Sequence, residues 1–228
     1  MTSNAPKLVL FDCDGTLVDS QVMIVAAMTQ AFQTAGLVPP SREAVLSIVG
    51  LSLPIAIARL LAEHPDLPVD PVVEAYKAAF FSLRQSLQHH EPLFPHARTV
   101  IEDLAARPDT LLGVVTGKSR RGLDAILALH GLAGHFVVLR TADDAPSKPD
   151  PTMVLDAMAA VGGHPSATLV IGDTTYDIEM AQAAGARSIG VSWGYHPAAA
   201  LTAAGALTVI DDFRRLPDLV TDLFAQGG

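Results

Sequence analysis

Cysteine is nearly absent: Cys13 stands alone, which excludes an intrachain disulfide and any zinc site built from several thiolates. The eight histidines show neither an HExxH nor a Cys/His spacing, so no soft transition-metal centre is expected. No apolar run reaches the roughly 18 residues of a membrane span, and the opening residues lack a signal-peptide pattern. A soluble, cytoplasmic protein without a membrane partner is expected. Basic residues are also scarce. Against 24 Asp and Glu there are 15 Lys and Arg, a formal charge of −9, the wrong sign for tracking a nucleic acid. Only 17% of residues are charged while 50% are hydrophobic, which excludes a disordered chain. At 228 residues the protein exceeds a usual domain of about 100–150, so one large domain or a core with an insertion is expected.

What is present has a rhythm. Lys7-Leu-Val-Leu-Phe11 is a short run of β-formers, apolar throughout as in a strand buried on both faces. Similar runs return at 111–115, 136–139, 168–171 and 187–191, and more weakly at 207–210. Between them apolar residues recur at helical spacing, as in Val100 and Leu104 or Leu123, Ile126 and Leu127. The alternation predicts an α/β protein with a doubly wound, Rossmann-like parallel sheet. Asp150-Pro151 reads as a helix start, and Gly131 and Gly185 as helix stops. From Ser20 to His90 no strand is evident, only Ala/Leu-rich helical stretches at 22–35, 42–49, 54–64 and 71–87. This predicts a helical cap over 20–91, inserted into a core of 1–19 and 92–228, with His89 to Pro95 as the return linker.

Acids gather where strands end. Asp12 and Asp14 follow the first strand, at the edge where doubly wound sheets bind ligands, and strand alternation turns both to one side with Cys13 to the other. Two carboxylates so close repel unless a cation joins them, and a hard divalent ion such as Mg²⁺ suits oxygen ligands. Asp173 and Asp177 repeat the arrangement after the fourth strand. Each pair alone reads equally well as a capped, acidic turn. Thr116-Gly-Lys-Ser119 ends another strand with a hydroxyl and amides that could meet an anion, although Ser119 also reads as a plain N-cap. Ser147-Lys-Pro-Asp-Pro151 places Lys148 on a stiff turn, in place to meet the acids.

Taken in order, Asp-x-Asp-Gly-Thr-Leu-x-Asp-Ser, Thr-Gly-Lys, Ser-Lys-Pro-Asp-Pro and Gly-Asp-Thr-x-x-Asp resemble the haloacid dehalogenase-like superfamily of phosphohydrolases, over nearly the whole chain. Glu91–Pro95, Gly190–Tyr195 and Val209–Phe213 are similar to stretches of its phosphoglycolate phosphatases. The resemblance implies that Asp12 is a nucleophile forming an aspartyl-phosphate and that Asp14 is a general acid, then base. It implies phosphoryl contacts from Thr116, the Gly117 amide and Lys148. It also implies Mg²⁺ on Asp12, the Asp14 backbone carbonyl and Asp173, with Asp177 positioning a water or the lysine. Two positions depart from the pattern: Gly117 where Asn is frequent, and His96 after Pro95 where Gly is usual. Phosphomutase, pyrophosphatase and receiver-like phosphoacceptor readings remain as alternatives, whereas a dehalogenase would leave Asp14 without a task. Polar residues of the helical segment are few, notably Arg42, Arg59, Lys77 and Arg84. A tight apolar cap, with Arg59 and the amides after Gly50 as its anion readers, predicts a small carboxylate-bearing phosphate ester such as 2-phosphoglycolate. The oligomeric state is left open.

Overall fold

The computed structural model describes residues 6–85 and 91–225, so His89 and His90 of the expected linker lie outside the described residues. Six strands form one parallel sheet: β1 (Lys7–Phe11), β2 (Thr110–Val115), β3 (Val138–Arg140), β4 (Thr168–Gly172), β5 (Arg187–Val191) and β6 (Thr208–Ile210). Their order is β3-β2-β1-β4-β5-β6, so the chain winds outward from β1 first one way and then the other. The reversal falls between β1 and β4, and doubly wound sheets bind ligands beyond the carboxyl ends at such a point.

Alternation along β1 feeds two cores. Val9, Phe11 and Cys13 pack with α5 (Ala97–Ala105), α6 (Arg120–Leu129) and α10 (Leu216–Ala225), whereas Leu8 and Leu10 pack with α7 (Thr152–Val161) and α8 (Thr175–Ala183). Both faces of β1 are therefore dry, which is why its sequence is continuously apolar. Between β1 and α5 run α1 (Gln21–Thr34), α2 (Arg42–Ser47), α3 (Leu53–Leu60) and α4 (Val69–Gln85), and these gather around a separate cluster that includes Met28, Phe32, Val45, Ile57 and Val72. The short α9 (Ala198–Ala203) covers β5 and β6. No described helix is long and apolar enough to cross a membrane.

Several boundaries differ from the sequence reading. The third strand starts at Val138 rather than at 136, because Phe136 turns inward to meet Phe11 edge-on at 6.3 Å while Val137 stays exposed. Helix α3 stops at Leu60 instead of reaching residue 64, since the residue before Pro65 disfavours helical backbone. Helix α4 starts at Val69, with Pro71 in its first turn, where a missing N–H costs nothing. The Asp150 carboxylate accepts from Thr152 N at 3.0 Å, so its capping role holds although α7 is bounded at Thr152. His96, standing where glycine is usual, takes φ +66° at the start of α5. That left-handed backbone explains the preference for glycine. Phe11 is fully buried at the junction of β1 with the larger core. Phe11→Ala is expected to lower the unfolding free energy by about 3–5 kcal/mol in urea titrations; a loss below about 1 kcal/mol would contradict this packing.

Candidate active site

The register puts Leu10 beside Val170 and Phe11 beside Ile171, and Asp12 N donates to Ile171 O at 2.9 Å, extending the ladder one step. Asp12 therefore leaves the sheet next to Gly172 and Asp173. Gly15 then turns the chain with φ +87°, and a Cβ there would collide with the Asp173 carboxylate and the Tyr195 ring. Only glycine lets the loop after β1 lie this close to the end of β4.

Three acids and one lysine meet in the space so formed. Lys148 Nζ, fully buried, donates to Asp12 Oδ1 at 2.8 Å and Asp177 Oδ1 at 2.5 Å. Asp177 Oδ2 accepts from Thr174 N and Thr174 Oγ1, closing a capping box at the start of α8. Both Asp177 oxygens are thus engaged. Asp173 accepts from Thr16 Oγ1 at 2.8 Å and from Tyr195 N at 2.9 Å. Asp12 Oδ2 is buried and has no hydrogen-bond partner.

Burial pushes the Asp12 carboxyl up to about 6; Lys148 pulls against this, while Asp177 and Asp14 add to it. Burial, and then Asp12 and Asp177, hold Asp173 well above the ordinary carboxylate range. Burial acts to lower the Lys148 pKa, but Asp12 and Asp177 outweigh it and the net shift is upward. Ligand oxygens of Asp12, Asp173 and Asp177 lie within 4.8 Å of one another. An unpartnered Asp12 oxygen beside the crowded Asp173 fits a hard divalent cation with oxygen ligands. Asp12 and Asp173, whose oxygens accept no more than one hydrogen bond each, have the capacity to hold it, whereas Asp177 accepts three from Lys148 and Thr174.

Asp14 lies in a second ionic cluster. Lys118 Nζ, its side chain only 9% exposed, donates to both Asp14 oxygens at 2.8 and 2.9 Å and stands 3.6 Å from Glu91 Oε1. Glu91 Oε1 is buried without a hydrogen-bond partner, and Arg84 clamps Oε2 through Nε at 2.8 Å and Nη2 at 2.6 Å. The sequence reading gave no role to Lys118, Glu91, Thr16 or Tyr195. All four lay within quoted motifs, yet the partners in this cluster are spread from residue 14 to residue 118. Five carboxylates (Asp12, Asp14, Glu91, Asp173, Asp177) face three cations (Arg84, Lys118, Lys148), a formal −2 that a divalent ion would balance.

Thr116 is buried at the end of β2, its backbone N–H bonded to Arg140 O and its hydroxyl accepting weakly from Lys118 N at 3.3 Å. Ser119 caps α6 through Gly122 N. A Cβ on Gly117 would collide with the Gly50 and Leu51 carbonyls, so the helical segment rests directly on this loop. Between the two lies a cavity of about 710 Å³ whose lining includes Asp12, Asp14, Thr116, Gly117 and Lys118.

Two expectations need correction. Arg59 does not line the cavity, because its place on α3 turns it outward to donate to the Tyr176 hydroxyl at 2.9 Å and to stack on that ring. The amides after Gly50 are engaged as well: Leu51 N donates to Ile48 O and Ser52 N to Ser147 Oγ at 2.8 Å. The residues of 20–91 that line the cavity are mostly apolar as expected, but at about 710 Å³ the cavity is not tight.

A family model described as haloacid dehalogenase-like hydrolase matches residues 9–191, and the chain belongs to that family of enzymes. Among its relatives, a protein of Dickeya dadantii named "Probable phosphatase IndB" is 36% identical over 212 residues, 90% of each chain. A "Phosphoglycolate phosphatase" of Pseudomonas putida is 30% identical, over 92% of this chain and 78% of its own. The crystal structure of a predicted phosphatase from Clostridium acetobutylicum aligns with TM-score 0.83 at 21% identity, covering 96% of this chain and 99% of that one, and supports the fold alone.

Lys148 is the only cation in hydrogen-bond contact with Asp12 and Asp177 among the described residues. Replacing it by Met leaves two buried carboxylates facing each other, so Lys148→Met should lose about 3–5 kcal/mol of stability in urea with a chelator present. An unchanged midpoint would mean that the pair is not buried as described.

Proposed function

We propose that this hydrolase cleaves small phosphate monoesters through an aspartyl-phosphate on Asp12. The observation that carries the reading is the meeting of Asp12, Asp14 and Thr116 on one cavity floor, with Lys148 fixed against Asp12. An Asp12 oxygen attacks phosphorus and the ester P–O bond breaks. Asp14 gives its proton to the departing oxygen and then, as a carboxylate held by Lys118, takes one from the water that opens the acyl phosphate. Thr116, the Gly117 amide and Lys148 bind the phosphoryl oxygens. Mg²⁺, held by Asp12, Asp173 and the Asp14 backbone carbonyl, would compensate the charge of the phosphate dianion. Asp177 acts through Lys148, fixing its ammonium.

The division into a core of 1–19 and 92–228 and a cap of 20–91 belongs to the same proposal. The chain crosses between them at Asp19 and Pro92, and the cap excludes water from the reacting phosphate. The cytoplasm is the compartment this reading implies. Relatives named as phosphoglycolate phosphatases favour 2-phosphoglycolate as one substrate.

Phosphate release from an aryl phosphate should require Mg²⁺ and stop on adding chelator; equal rates with and without chelator would remove the metal from the proposal. Asp12→Asn should lower kcat by a factor of about 10³ or more, because an amide is a poor nucleophile. Asp14→Asn should slow alkyl esters far more than aryl esters, whose leaving groups need less protonation. Near wild-type turnover by Asp12→Asn would place the nucleophile elsewhere.

A further inference from the structure

The wall of the cavity facing the catalytic acids is built from Ile24 and Met28 of α1, Val49, Leu53 of α3, and Tyr76 and Phe80 of α4. Tyr76 and Phe80 stack at 5.8 Å with their rings tilted by 34°, a paired aromatic surface one helical turn long. Lys118 Nζ lies 5.2 Å from the centroid of the Phe80 ring and holds Asp14 on its other side. Asp14 is the proton donor to the leaving oxygen, so the group attached to that oxygen departs towards Phe80 and Tyr76.

Cations along this cavity are already matched by acids. Lys118 is bound by Asp14 and faces Glu91, Arg84 is clamped on Glu91, and Lys77 is paired with Glu74 at 2.7 Å. Arg121 makes no ion pair among the described residues, and it is exposed and stacked on the exposed Phe81 ring at 5.1 Å. The interior therefore offers a leaving group apolar and aromatic contact with little unspent positive charge. A two-carbon group would fill only the floor of a cavity of about 710 Å³. Apolar walls gain most from a body that displaces the water against them.

We propose that this cavity is a subsite for an apolar, ring-bearing leaving group, so that the enzyme takes phosphate monoesters of alcohols carrying an aromatic or similarly sized apolar body. This rests on the phosphomonoesterase reading and adds a substrate class to it. The aromatic pair supplies the stacking face and α1 and α3 supply the aliphatic sides.

Ethyl phosphate and 2-phenylethyl phosphate are both esters of primary alcohols with leaving groups of comparable basicity, so their comparison isolates the ring. The proposal expects kcat/KM at least tenfold higher for the phenylethyl ester. Leu53 is half-buried on the wall, and Leu53→Trp, checked for folding by circular dichroism, should reduce that ratio at least threefold by occupying the space. Hydrolysis of both esters at similar rates would overturn the subsite and leave the phosphatase reading standing. A ratio unchanged in folded Leu53→Trp would also overturn it. If neither ester is hydrolysed, the phosphatase reading fails, and calorimetric titration of wild-type protein with ethylphosphonate and 2-phenylethylphosphonate still decides: tenfold tighter binding of the ring compound supports the subsite, and equal affinity refutes it.

Discussion

Lys148 holds the active edge of the sheet together. Its ammonium sits in a space without solvent between Asp12 from the end of β1 and Asp177 from the first turn of α8. Asp177 in turn caps α8 through Thr174, so one buried cation ties together two neighbouring strand ends, a helix start and the 147–151 turn. Such an arrangement is expensive to break and modest as a source of net stability, since desolvation opposes most of the attraction. Its product is position: a carboxylate at the topological reversal of the sheet whose first oxygen is fixed and whose second is unshared.

The second ionic cluster connects the cavity floor with the helical segment. Asp14 is bound by Lys118, Lys118 faces Glu91, and Glu91 is gripped by Arg84 of α4. Asp14 is thereby linked to α4 through Lys118 and Glu91. The helical segment rests on Gly117 of the loop after β2 and donates from Ser52 N to Ser147 Oγ, one residue from Lys148. The loop after β2 and the 147–151 turn are thus the parts of the core that support the helical segment.

All six strands were readable because their apolar runs are buried on both faces, and the four acids because each stands just beyond such a run. Asp12 and Asp14 were expected on one side of the strand with Cys13 on the other; Cys13 lies in the larger core while both acids line the cavity. Arg59 failed for a reason of helix phase: on α3 the inward positions are Leu53 and the buried Ala56 and Ile57, and Arg59 falls on the outer side against Tyr176. The 14–118–91–84 cluster escaped because nothing in local spacing announces a partner a hundred residues away. The volume of the cavity was equally hidden, being set by how four helices lean on one another and on the core.

The chain leaves the sheet and returns to it at adjoining points. Asp19 N bonds to Pro92 O at 2.8 Å, Phe94 N bonds to Leu17 O at 3.0 Å, and Val18 pairs with Leu93. The two crossings thus make one backbone attachment, while Ser52 N to Ser147 Oγ and Arg59 to the Tyr176 hydroxyl tie the helical segment to the core elsewhere. Turning residues 20–91 about the crossings would leave the backbone bonds there intact but would have to break these two side-chain bonds.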